Sequence, residues 1–450
     1  MLGFMAAVSR YYFVFLMGYF LWLGYRGLFR DEPRPSLGIA VLLLPAFAFP
    51  ILAFSDAAFA FSPQTLLFGG ALLVFVLFGG FLLRRVHHSS CAILEKCMFF
   101  LLSIGLVMLY RLSPSLALRQ LVFAALGFGI ALLIPLVFRI FKQIERLEIV
   151  FLLTSFGLLG LVHIAELIDL IFNIQIPIVA VDQFGANRWI RIGPINFQPS
   201  EFVKILYVLY LACAFRAKPS LGKIAFVGAA SAGLILMLVA QRNLGHALVF
   251  FGVFMAMLYA ASASRILFGL GLLAMGGASV LSYQLFPHLR IRVAAWQNPW
   301  ADIADGGFQI AQSLFAIGSP GAFGAGLGLG MPERIPVVER DMIFSAISEE
   351  FGWIFALGIM AVFALILARS MQIASRQSRP LYGMMAMGFS VLIGFQAFIA
   401  IGGNVKFIPM TGITLPLMSY GGSSVFVIML MFGFLQTFNR INDEGTEPDE

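Results

Sequence analysis

Apolar residues along this chain run in long unbroken blocks, without the alternation of a half-buried strand. Blocks near the length that crosses a bilayer, about 20 residues, fall near 11–28, 37–57, 65–83, 93–110, 118–138, 148–166, 200–215, 224–240, 245–262, 266–286, 344–368, 381–401 and 418–438. The pattern predicts an all-α, polytopic integral membrane helical bundle of about thirteen transmembrane helices, with 200–215 the shortest. An odd number of crossings puts the two termini on opposite sides. No small-residue cleavage site follows the first block, and Arg26 and Arg30 come after it. That predicts an anchored first helix, not a removed signal.

Composition supports the pattern. Hydrophobic residues make up 60% of the 450 and charged residues 11%, against about 25% charged in a soluble domain. So thin a polar coat excludes a cytosolic catalytic body or a nucleic-acid-binding domain. The net charge of +7 is therefore read first as topology. With the C-terminus cytoplasmic, the inner loops collect Arg84, Arg85, Arg139, Lys142, Arg146, Arg216, Lys218, Lys223, Arg376 and Arg379, as the positive-inside rule requires. The N-terminus then lies outside. The acidic end, 439–450, becomes a cytoplasmic tail. The three cysteines, Cys91, Cys97 and Cys213, sit in or beside apolar runs without metal spacing and are expected to pack.

Two connections, 167–199 and 287–343, exceed the usual loop length and face outward in this topology. Both hold apolar anchors, among them Trp189, Phe197, Trp296 and Trp300, so they are expected to be ordered. They also carry basic residues on the side the rule disfavours: Arg188 and Arg191 in the first, Arg290, Arg292, Arg334 and Arg340 in the second. Plain solvation is one reading; an external face built to hold an anion is the other.

Candidate chemistry is sparse. Glu201 and Lys204 lie at i,i+3 where Pro199 opens the short seventh helix, which places them on one face. They form either a structural ion pair or, since charge near a bilayer is expensive, part of a site. Asp341 stands at the outer edge of the eleventh run, either capping the helix or poised as a general base for a hydroxyl. Glu349 and Glu350 are the competing carboxylates, deeper and better suited to an internal network. The stretch Gly324–Gly330 follows no strand, so it is not read as a dinucleotide fingerprint. Ser419-Tyr-Gly-Gly-Ser-Ser424 opens the last run, as a phosphate contact or as close helix packing. The five histidines make no metal cluster, and no P-loop, HExxH or nucleophile elbow occurs.

Four of these segments together resemble one family. Gly185-Ala-Asn-Arg-Trp-Ile-Arg-Ile-Gly-Pro-Ile-Asn-Phe-Gln-Pro-Ser-Glu-Phe-Val-Lys204 is similar to the signature loop and helix of the FtsW/RodA/SpoVE (SEDS) proteins. Gln309-Ile-Ala-Gln-Ser-Leu-Phe-Ala-Ile-Gly-Ser319, Leu417-Met-Ser-Tyr-Gly-Gly-Ser-Ser424, and Ile335-Pro336 followed by Asp341-Met-Ile-Phe344 and Glu349-Glu350 match three more of its motifs in order. The resemblance covers a core at 93–438; residues 1–92 look like the three accessory N-terminal helices of the longer members.

The resemblance implies a peptidoglycan glycosyltransferase of the bacterial plasma membrane that polymerises lipid II on the outer face and releases undecaprenyl pyrophosphate. It implies Asp341 as the catalytic carboxylate and places Trp189, Glu201 and Lys204 in or near the active site. Arg188, Arg191, Arg290, Arg292, Arg340 or a divalent cation (Mg or Mn) would meet the pyrophosphate. Gln309, Ser313, Ser419, Gly421, Gly422 and Ser423, on the matched motifs, are the remaining substrate-binding candidates. The implied partner is a class B penicillin-binding protein; no group-carrying cofactor and no nucleic acid is implied. A lipid II flippase and a non-catalytic scaffold for a transpeptidase are the rival readings. The chain departs from the family at Gln241-Arg-Asn-Leu-Gly-His246, where the usual acid is Asn243 and the usual Thr is His246.

Overall fold

The computed structural model describes all residues except 1, 31–34, 55–61, 88–89, 142, 173–178, 182–186, 193–194 and 445–450. The first three helices are α1 (Leu2–Arg30), α2 (Pro35–Phe54) and α3 (Pro63–Val86). Then follow α4 (Ala92–Leu112), α5 (Pro114–Ala131), α6 (Ile134–Ile140) and α7 (Glu148–Phe172). Next come strands β1 (Val179–Val181), β2 (Asn187–Ile192) and β3 (Ile195–Phe197). The bundle continues through α8 (Pro199–Ala214), α9 (Leu221–Ala240), α10 (Leu244–Ser262), α11 (Arg265–Leu285), α12 (Pro287–Gln297) and α13 (Phe308–Gly318). It closes with α14 (Ile343–Phe351), α15 (Trp353–Ser375), α16 (Pro380–Asn404) and α17 (Gly422–Glu444).

Among the described residues, twelve helical stretches are long and apolar enough to cross a membrane. The thirteenth expected crossing, 200–215, is α8, whose 16 residues reach only about 24 Å. That is short of the ~30 Å hydrocarbon core. It can be short because it does not face lipid: from Val203 to Ala214 nearly every side chain is buried, walled by α7, α10, α16 and α17. α11 is its opposite, with no buried residue.

These first three helices pack directly on the rest of the bundle. Phe20 of α1 stacks on Phe100 of α4 with centroids 4.0 Å apart, and the Tyr25 hydroxyl donates to the Ala361 carbonyl of α15 at 3.0 Å. Glu95, fully buried at the start of α4, is met by Arg84 of α3 at 3.2 Å and by its neighbour Lys96. The three cysteines are free and buried, as expected. Of the expected acidic tail, residues 439–444 continue α17 and 445–450 lie outside the described residues.

The eleventh run is not one helix. It breaks at Gly352 into α14 and α15, because Gly352 adopts φ 88 and ψ 163, a region open to glycine alone. The backbone of the glycine-rich stretch fills the break. Ala325 N donates to Glu349 O and Gly326 N to Glu350 O, both at 2.9 Å, so the last carbonyls of α14 are capped where no helix continues. A methyl group on Gly352 would sit 2.3 Å from the Ala322 carbonyl oxygen. Gly352→Ala is therefore expected to destabilise by about 3 kcal/mol or more, read as a fall in the thermal unfolding midpoint in detergent. Gly157→Ala, in helical α7 with nothing within 4 Å, is the matched control and should leave the midpoint unchanged or slightly raised.

The long connections are ordered where they are described. In the first, β1, β2 and β3 form an antiparallel sheet in that order, with Trp189 opposite Ala180 and Ile190 opposite Phe197. The second contains α12 and α13. These pieces, the 405–421 segment and α14 together form one end of the bundle.

Candidate active site

Asp341 lies in the turn that leads into α14, its N–H donating to the Val337 carbonyl at 3.2 Å. Its carboxylate faces the 405–421 segment at Gly412. A methyl group built there would stand 3.4 Å from Asp341 Oδ2 and 3.9 Å from Arg292 Nη2. Acid and guanidinium thus converge on one point of backbone. Arg292 comes from α12 and also donates to the Met410 carbonyl at 3.3 Å, while Trp296, one turn on, donates to the Lys406 carbonyl at 3.1 Å. Burial pushes the Arg292 guanidinium down from its usual range and the Asp341 carboxylate pushes it back up.

The backbone of Asp341 is held from below. Asn404, at the end of α16, donates from Nδ2 to the Asp341 carbonyl at 2.8 Å and accepts at Oδ1 from Ser345 at 2.9 Å. Ser313 of α13 bonds Ser345 at 2.5 Å and the Asn404 carbonyl at 2.8 Å. Gln309 donates to the Pro336 carbonyl at 3.1 Å. Sequence reasoning offered Gln309 and Ser313 as substrate contacts. The structure makes them supports for the turn carrying Asp341, and Ser313 is completely buried.

The Ser419–Ser424 stretch is likewise occupied internally. Ser419 Oγ accepts from Leu415 N at 2.9 Å, and Gly421 N donates to Gln120 Oε1 at 3.1 Å. A methyl group on Gly422 would meet the Phe123 ring at 2.7 Å. Ser423 Oγ accepts from Gln198 N at 3.2 Å and donates to Asn196 O at 3.4 Å. Of the two readings of this stretch, these contacts are those of close packing, at a junction joining α5, α17, β3 and the start of α8. Small side chains win because the backbones approach closely.

Glu201 and Lys204 form a buried network. Lys204 Nζ lies 2.6 Å from Glu201 Oε2 and donates to Gln396 Oε1 of α16 at 2.8 Å. Gln396 Nε2 then reaches the Thr414 carbonyl at 2.9 Å. On the other side His246 Nε2 sits 2.9 Å from Glu201 Oε1 and Nδ1 2.8 Å from Asn243 Oδ1. Asn243 Nδ2 donates to Ser200 at 3.1 Å. The two residues that depart from the family motif are thus neighbours of the ion pair. The network ends on Thr414, two residues from Gly412, so it braces the segment that faces Asp341. Gln396, Asn404 and Gln120 were missed in the sequence; the available signal was an amide side chain inside or ending an apolar run, where polar groups are costly without partners.

The other basic candidates spread out. Arg290 is exposed and donates to the Gln284 carbonyl near the end of α11 at 2.9 Å; Arg340 is exposed beside Asp341; Arg191 is exposed on β2 and Trp189 half-buried there. The side chain of Arg188 lies outside the described residues. Glu349 accepts from Met331 N at 2.8 Å. Glu350 accepts from Gly328 N at 3.1 Å and faces Arg111 at 3.4 Å, so both carboxylates hold the glycine-rich loop. Among the described residues no three His, Cys, Asp or Glu side chains converge as metal ligands. A divalent cation here would depend on phosphate oxygens of the substrate.

Arg292→Gln keeps a donor but removes the charge. It is expected to lower about 100-fold the turnover of any reaction that uses the Asp341 carboxylate, the scale for losing one charge-stabilising donor, while the unfolding midpoint moves little.

A family model described as "Cell cycle protein" (FTSW_RODA_SPOVE) matches residues 90–444. The chain is 29% identical over 448 residues to the peptidoglycan glycosyltransferase RodA of Mycobacterium leprae, covering 92% of each. It is 30% identical over 382 residues to the RodA of Mycobacterium tuberculosis, covering 78% of each. Among solved structures it resembles a chain of a peptidoglycan synthase complex that coordinates polymerization and crosslinking, with 28% identity and a TM-score of 0.65 over 78% of this chain and 98% of that one. The fold is also that of Thermus thermophilus RodA, with 24% identity and a TM-score of 0.57 over 78% of this chain and 97% of that one. Together with the ordered motifs and the helix bundle that carries them, these matches make the chain a member of the FtsW/RodA/SpoVE family.

Proposed function

We propose that this peptidoglycan glycosyltransferase polymerises lipid II at the outer face of the bacterial plasma membrane, with Asp341 as general base, during elongation or division. The observation that carries the reading is the convergence of Asp341 and Arg292 on Gly412, at the end of the bundle formed by the two long connections. The Asp341 carboxylate takes the proton of the GlcNAc 4-hydroxyl on the incoming lipid II as that oxygen bonds to the anomeric carbon of the growing strand. The bond from that carbon to the undecaprenyl pyrophosphate breaks, and its electron pair leaves with the phosphate. Arg292 is placed to meet the charge that develops there, with Arg290, Arg340 and Arg191 available at the same end. The distribution of basic residues supports a cytoplasmic C-terminus and an external N-terminus, which turns Asp341 outward.

The likeness to a chain of a synthase complex supports action alongside a cross-linking partner, and a class B penicillin-binding protein is the one we assign. The test is polymerisation of purified lipid II by this protein with that partner, with moenomycin present to silence any contaminating classical glycosyltransferase. Glycan strands are expected. Their absence, with the partner bound, would overturn the reading in favour of a lipid II flippase or a scaffold.

A further inference from the structure

One cavity lies away from the residues of this chemistry. It has a volume of about 440 Å³ and opens between the ends of α8, α10 and α15 and the start of α16. α8 carries Glu201 near its first residue and reaches the cavity past its last, so a helix length of about 24 Å separates the cavity from the buried network.

Its lining is graded by depth. Arg216 and Lys218, both exposed, lie beyond the end of α8 at the level where the helices stop. Met384 and Met387 lie four and seven residues into α16, roughly one and two turns deeper. Met371, about a turn before the end of α15, and Ala260, near the end of α10, complete the apolar wall. Among the described residues, two cations line the cavity and no acidic residue does. Glu148, at this end of the bundle, is engaged by Lys223 of α9. Arg216 gives one N–H to the Cys213 carbonyl at 3.2 Å, which anchors the guanidinium while other donors of its fork remain.

We propose that this cavity is a binding site for one anionic phospholipid, whose phosphodiester sits between Arg216 and Lys218 and whose acyl chain lies along Met384 and Met387. Cations at the helix ends over an unbranched, adaptable thioether wall match a charged head on a flexible apolar tail. A wholly apolar partner would leave the two cations unmet, and a free phosphate would leave the wall unfilled. In the orientation proposed above, the lipid belongs to the cytoplasmic leaflet, where basic side chains attract anionic headgroups.

The test is native mass spectrometry of the full chain taken from nanodiscs of equal parts phosphatidylcholine and phosphatidylglycerol. The wild type is expected to retain one phosphatidylglycerol in preference to phosphatidylcholine. Arg216→Gln with Lys218→Gln should weaken that retention about 25-fold, near fivefold per cation. Met387→Trp, which fills the deep wall, should weaken it with both cations intact. Arg265→Gln, an exposed basic residue at the same end but outside the lining, should leave it unchanged. Thermal unfolding of each variant in detergent confirms that the fold persists. Equal retention by the double variant, equal loss from Arg265→Gln, or equal retention of phosphatidylcholine by the wild type would each overturn the site. None of these outcomes depends on glycan synthesis, so they stand apart from the test of the activity.

Discussion

Asp341→Asn is expected to abolish detectable glycan synthesis from lipid II, a fall of 10²–10⁴-fold or about 3–5 kcal/mol in transition-state stabilisation. The amide is nearly isosteric, and the backbone contacts of this residue survive the change. Asn404 reaches the Asp341 carbonyl and not its side chain, and the N–H to Val337 is backbone. The loss should therefore appear in turnover with little change in the unfolding midpoint or in partner binding. The amide cannot accept the hydroxyl proton. Glycan made by the variant at the wild-type rate would remove Asp341 as the base and send the search to Glu349 and Glu350. Those two are poor substitutes, because both are occupied by backbone N–H groups of the glycine-rich loop.

The second large effect is expected from breaking the buried ion pair from one side only. Glu201→Gln leaves Lys204, which is completely buried, bonded to the neutral Gln396 amide and with no counter-charge in the pair. An uncompensated buried charge costs about 3–5 kcal/mol. Loss of folded protein in detergent or a large fall in the unfolding midpoint is the expected result. Lys204→Met should be comparably severe, since it leaves Glu201 facing His246 alone. The double variant Glu201→Gln with Lys204→Met should recover much of the stability, because no lone charge remains. It should not recover synthesis, because Lys204 no longer holds Gln396, the side chain that reaches Thr414 and braces the Gly412 segment. If the double variant were as unstable as either single one, the pair would not be the energetic unit its geometry indicates.

These two results address different links of one argument. The first tests chemistry at a carboxylate whose backbone is independently supported. The second tests the support of the opposite wall of the site, where His246 and Asn243 take part. The wall is built from α8, α10 and α16, three helices whose polar residues meet only in the folded bundle.

What the sequence by itself determined was the class of molecule and the neighbourhood of its site. Apolar block length is a one-dimensional property, so the crossings were legible, and so was the side of the bundle on which charge accumulates. Asp341 and the pair Glu201 and Lys204 stood out because ionisable groups near a bilayer need a reason to be there. Tertiary structure alone decided which candidates meet. Block length cannot register a glycine at φ 88, so the run 344–368 read as one helix when Gly352 divides it. Nor can it show that the ladder of glycines fills that break with donors for Glu349 and Glu350. Of the outward basic residues, Arg292 was singled out at Asp341 by the packing of α12 on the 405–421 segment, a long-range contact with no local signature. Gln309, Ser313 and the serines of Ser419–Ser424 read as ligand contacts because polar side chains in a motif look alike in one dimension. In three dimensions each of them bonds within the protein, as polar groups packed among apolar helices do.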